Sequence, residues 1–139
     1  MRFSFNDIRD AFDFVSAANA GEHQAFLCLQ SGKIYWQSEL VDGFDELPDD
    51  VDDDDKYIAI PDQKELGLGK PLALDFAAEV LLDDFDEVRR IFSRRGAYAG
   101  FKALLARRGA LDQWYAFEAQ AVERELRDWC AENSIELMD

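Results

Sequence analysis

Histidine, cysteine and long apolar runs are almost missing from this chain, and each shortage removes a class of function. His23 is the one histidine, so any acid/base mechanism built on imidazole must use it. Cys28 and Cys130 are the only cysteines and stand about a hundred residues apart, which fits neither a CxxC metal spacing nor a disulfide scaffold. Both are expected to be reduced thiols in or near the core. No apolar stretch approaches the ~20 residues of a membrane span, and the N-terminus lacks a basic start followed by an apolar middle. A cytoplasmic protein is the expectation.

Positive charge is also short: 15 Lys and Arg stand against 30 Asp and Glu, giving a net charge of −15. That balance opposes non-specific binding to nucleic acid or anionic membrane. With 48% apolar residues the chain can still fold, and 139 residues suit a single domain. The sheet-containing part should run to about residue 62 and a helical part from about 63 to 139.

Periodicity predicts the elements. Ile8, Ala11, Phe12 and Val15 recur at helical spacing between a candidate cap at Asn6 and a stop at Gly21. Ala25–Leu29 and Ile34–Trp36 read as a hairpin across a Gly-containing turn, and Lys56–Ile60 as a third strand closed by Pro61. Helices follow: one from near Pro71 with Leu72, Phe76 and Val80 on a face, one through Phe85, Val88, Ile91 and Phe92, and one through Phe101, Leu104 and Leu105. In the last helix Leu111, Tyr115, Ala119, Val122, Leu126 and Trp129 define the predicted buried stripe. Trp114 and Phe117 fall outside it, and so are candidates for a partner surface or for packing on a second side. The predicted class is α+β: an N-terminal helix and a small antiparallel three-stranded sheet, then a mainly helical half.

Eight carboxylates fall within the eleven residues Asp45–Asp55. Asp50, Asp52 and Asp54 alternate as at the start of an EF-hand loop, but Asp55 replaces the sixth-position Gly and Pro61 the twelfth-position Glu. A solvated loop is expected.

Against this acidic background, residues 89–108 carry Arg89, Arg90, Arg94, Arg95, Lys102, Arg107 and Arg108 and no negative side chain. The tetrad Arg-Arg-Gly-Ala occurs twice, at Arg94–Ala97 and Arg107–Ala110. One reading makes both copies helix C-termini, where arginines favour the macrodipole and Gly takes the left-handed cap. A second docks acidic groups such as the Asp49–Asp55 loop on these arginines. A third makes Arg94, Arg95, Tyr98 and Lys102 an anion or nucleic-acid site around the Gly96 turn.

Catalytic and cofactor signatures are missing: no Gly-x-Ser-x-Gly elbow, Walker loop, dinucleotide fingerprint or His/Cys metal spacing is found. Gly67-Leu-Gly-Lys70 precedes Pro71 and reads as a turn. Glu118 and Glu125, bordered by Trp114 and Trp129, are the carboxylate pair with most catalytic interest, and an ion pair with a neighbouring arginine is the plainer account. No catalytic residue, metal ligand or cofactor is assigned.

Tyr57-Ile-Ala-Ile-Pro61, Arg95-Gly-Ala-Tyr-Ala-Gly-Phe-Lys102 and Trp114-Tyr-Ala-Phe117, with Trp129 near the end, resemble in order and spacing a bacterial family known only as uncharacterised protein family one-five-eight. In that family charged residues, often with arginine, follow the Phe of the last helix, whereas Glu118-Ala-Gln-Ala121 stands here. The resemblance implies one intact domain and supplies no activity. The sequence therefore points first to a non-enzymatic, acidic interaction or regulatory module with a protein partner of basic surface. An anion or nucleic-acid binder at Gly96 comes second, with nucleic acid disfavoured, and a small carboxylate enzyme third; no membrane role is expected, and oligomeric state is undefined.

Overall fold

In the computed structural model, which describes residues 2–18 and 21–138, the α+β class is realised. The chain forms two compact units, one made of the residues up to Leu66 together with those from Glu125 onward, the other of Gly67–Arg124.

The first unit opens with strand β1 (Arg2–Phe3) and helix α1 (Phe5–Ser16). Ile8, Ala11, Phe12 and Val15 are buried together with Phe5, as the spacing predicts. The start differs: Ser4, extended at φ −74 and ψ 132, holds the cap position, and Asn6 lies inside the first turn. Ala17 is the C-cap, so the helix ends before Gly21. Strands β2 (His23–Cys28), β3 (Ile34–Ser38) and β4 (Tyr57–Ala59) form an antiparallel sheet with β2 in the middle. Its register sets Phe26 opposite Tyr35 and Ala59. Buried Ala25 and Leu27 alternate with less buried Gln24 and Phe26, the signature of a sheet covered on one face, and α1 packs against β2. Pro61 follows β4, as expected of a residue that cannot donate to a ladder. A short strand β5 (Glu136–Leu137) pairs parallel to β1.

The second unit is helical. Helix α2 (Lys70–Val80) carries Pro71 in its first turn, where a missing N–H costs nothing, and buries Leu72, Ala73, Phe76 and Ala77. A 3₁₀ turn (Leu82–Asp84) leads into α3 (Phe85–Ile91), followed by α4 (Ala97–Arg107). Val88, Phe101, Leu104 and Leu105 are buried from these two helices.

Helix α5 (Leu111–Glu132) gives its first part to the second unit and its last turns to the first. Its buried face departs from the predicted stripe. Trp114, Ala121, Val122, Leu126 and Cys130 are buried, whereas Tyr115 is 46% exposed, Ala119 is exposed and Trp129 is half-buried. Two apolar stripes compete in the first turns. The one holding the larger indole wins, because Trp114 finds a ring environment: Phe101 edge-on at 5.1 Å, Phe76 edge-on at 5.4 Å and Phe117 at 6.3 Å. The candidate partner surface is therefore corrected at Trp114, which has no exposed surface, while Phe117 is half-buried and packs 5.3 Å from Phe76.

Candidate functional site

The basic segment resolves into two sets of arginines with different fates. Arg107 ends α4 and Arg108 is its C-cap, with Gly109 left-handed at φ 67 and the Ala110 N–H returned to the Leu105 carbonyl at 2.9 Å. Their side chains are also tied down. Arg108 donates twice to Asp84, both at 2.9 Å, and Arg107 reaches Glu87 at 3.4 Å. Hydrogen bonding from Arg108, then its charge, holds the Asp84 carboxyl below its ordinary value. The second tetrad is thus a helix end doubly used, for the α4 terminus and for clamping α4 to the start of α3.

The first tetrad is not a helix end. Helix α3 stops at Ile91 with Arg89 and Arg90 in its last turn, and Arg94 and Arg95 lie beyond it in the turn to α4. Gly96, left-handed at φ 69, starts α4. Seven α3 residues span about 10 Å, so the two tetrads sit at opposite ends of that helix. They do not merge into one stripe. Glu87 stands between them, pairing with Arg107 and lining a groove of about 420 Å³ with Arg90, Arg94 and Arg95.

Of the four residues expected around Gly96, this groove takes Arg94 and Arg95 only; Arg90, not singled out by the sequence, joins them. Tyr98 turns instead toward α5, where its hydroxyl donates to Glu118 Oε2 at 3.1 Å. Burial first, and the Glu118 charge second, push the Tyr98 phenol well above its ordinary range. Lys102 lies 5.8 Å from the Tyr98 ring and 5.7 Å from that of Tyr115. The physical reason is helical spacing: one turn apart, Tyr98 and Lys102 share a face of α4, and that face meets the α5 aromatics. Glu118 thus has a phenol for a neighbour where an arginine was expected.

No group of three or more His, Cys, Asp or Glu side chains converges as a metal site among the described residues. His23 is engaged structurally, its Nδ1 2.8 Å from the Phe14 carbonyl and its ring stacked on Phe14 at 4.2 Å. Both thiols are buried. Burial pushes Cys130 up to about 11, whereas a hydrogen bond with the Ser31 side chain lowers Cys28.

The acidic connection between β3 and β4 is folded rather than featureless. Asp53 Oδ1 accepts the Asp55 N–H, the Lys56 and Tyr57 N–H groups return to the Asp53 carbonyl, and Lys56 pairs with Asp50 at 3.0 Å. Its first part is pinned as well: Ser38 Oγ accepts the N–H groups of Leu40 and Val41, while Asp45 exchanges hydrogen bonds with the Trp36 backbone, accepting at Oδ2 and donating from its own N–H.

Between those anchors Leu40 is 61% exposed, Val41 57% and Phe44 44%. Phe44 leans on Phe14 at 5.0 Å, and Phe14 meets Trp36 at 4.9 Å. Sequence periodicity passes over these residues because they belong to no helix or strand. The available signal was composition, three large apolar side chains within five positions of a loop rich in carboxylates.

The charge is as unevenly placed as the apolar surface. Gly67–Arg124 holds nine basic and nine acidic side chains, and the remainder of the chain six basic and 21 acidic. The whole net charge thus belongs to the unit that carries the loop. Among the described residues no helix is long and apolar enough to cross a membrane. No protein-family model, curated protein or solved structure matches the chain.

Proposed function

We propose that the protein is a non-enzymatic interaction module whose acidic unit engages a protein partner of basic surface. The observation that carries this reading is charge segregation. A neutral helical unit accompanies one with a net charge of −15, in which residues 42–55 alone hold nine carboxylates. Of these nine, Asp50 has an ion-pair partner in Lys56, and no other ion pair involves them among the described residues. Carboxylates held on a folded loop keep their Coulomb energy for an incoming cationic surface, and such attraction speeds encounter and weakens with salt. Immobilised protein should bind poly-L-lysine and retain a stoichiometric partner at ~20 mM salt, releasing both at ~500 mM. Failure to bind either at low salt would overturn the reading.

A second reading, an anion site in the groove at Gly96, is favoured by one fact: Arg89, Arg90, Arg94 and Arg95 are exposed and have no ion-pair partner among the described residues, in a chain rich in carboxylates. Glu87 in the groove works against it. Inorganic phosphate or a short RNA titrated at ~50 mM salt decides: binding lost in Arg94→Ala/Arg95→Ala with an unchanged melting temperature supports it.

A further inference from the structure

Leu40, Val41 and Phe44 are large apolar side chains left in water by a segment held by hydrogen bonds at Ser38 and at Asp45. A loop that merely connects β3 to β4 gains nothing from such residues, and exposed apolar patches rimmed by polar groups mark interaction sites. The charge along this segment is negative. Glu39, Asp42, Glu46 and Asp49, interleaved with or flanking the three apolar residues along the chain, are all exposed, whereas Asp45 is partly buried and holds the loop through the Trp36 N–H. Beside Leu40 a cleft of about 480 Å³ adds Glu22 and Asp62, with Lys64 as its one cation.

Charge and polarity together define the occupant. We infer that the Leu40–Phe44 segment is the anchor of the docking surface, and that it receives a protein segment with an apolar face bordered by Lys or Arg. This rests on the acidic-module reading and adds to it a place and a second chemical requirement. Apolar contact in the centre supplies affinity and excludes water from the rim, where carboxylates meet the partner's cations. Phe44 rests on the Phe14 ring, which itself meets Trp36, and that contact reduces the freedom the side chain has to lose on binding.

Two probes of equal length separate the requirements: an amphipathic helical peptide with leucines on one face and lysines on the other, and poly-L-lysine. Calorimetric titration at ~50 mM salt should show the amphipathic peptide binding more tightly than poly-L-lysine. Leu40→Ser/Val41→Ser should weaken the amphipathic peptide by at least ~10-fold and leave poly-L-lysine and the melting temperature unchanged. Phe44→Ala should act in the same direction, which guards against an effect peculiar to the double variant. Undiminished peptide binding by both variants would overturn the anchor while leaving the acidic-module reading in place. If neither probe binds the parent protein, the module reading falls and the anchor with it. Should sedimentation of the protein alone reveal a dimer that Leu40→Ser/Val41→Ser dissociates, the occupant is a second copy and the basic-partner assignment is overturned.

Discussion

Trp114 and Tyr115 are adjacent aromatic residues whose fates differ completely. The indole is fully enclosed and the phenol is 46% exposed, so their replacement should separate sharply. Trp114→Ala removes a ring in contact with Phe76 and Phe101 and leaves a cavity, costing about 3–5 kcal/mol. Tyr115→Ala removes a half-exposed ring beside Lys102 and should cost less than about 1 kcal/mol. Urea denaturation of the two variants checks this, and comparable losses would contradict the assigned helix face. The same contrast governs which residues can serve a partner. A fully enclosed Trp114 cannot touch one, whereas Leu40 and Val41, without a ring or a helix to recommend them, can.

Among the elements, the α3–α4 pair is held at one end by arginines that also terminate a helix. Asp84 lies in the 3₁₀ turn before α3, and Arg108 depresses its carboxyl below the ordinary 3.8. A carboxylate lowered by folding adds stability above the ordinary carboxyl range, and that contribution disappears as pH falls through the folded-state value. Arg108→Ala should therefore lower the urea midpoint at pH 7, and the gap to the parent protein should close as Asp84 becomes protonated in both. Midpoints measured from pH 7 downward test it; a gap independent of pH would place the effect in packing. Among the described residues Arg94 and Arg95 make no such bond, although their tetrad is identical. The difference comes from where α3 ends, three residues before the first tetrad, while α4 runs into the second.

Over the whole molecule, the segregated charge predicts a response to salt. The unit with 21 acidic and six basic side chains repels itself, and the Debye length contracts from about 30 Å at 0.01 M to about 8 Å at 0.15 M. Thermal unfolding at pH 7 should move to higher temperature over that range. A fall would mean that screened attractions, such as Arg108 with Asp84, outweigh the repulsion.

The α+β class, the order of the helices and of the three antiparallel strands, and most of the core were legible from the chain; the two-residue strands β1 and β5 were not, being too short to show a period. They rest on local regularities: period 3.6 in Ile8, Ala11, Phe12 and Val15, Gly and Pro at turns, and β-rich runs on either side of Gly32. Each of these constrains the backbone within a few residues of itself. The sequence alone also determined the net charge and the unequal arginine segment. What it left open were choices between equivalent local options: which of two apolar stripes on α5 faces inward, whether Arg-Arg-Gly-Ala ends a helix or follows one, and toward which neighbour Tyr98 points. The separation of a neutral unit from an acidic one depends on chain-distant residues, since those from Glu125 onward group with those before Gly67. Only tertiary structure decided these matters, because burial depends on which surfaces meet. That is a property of pairs of elements, which the periodicity of either element does not contain.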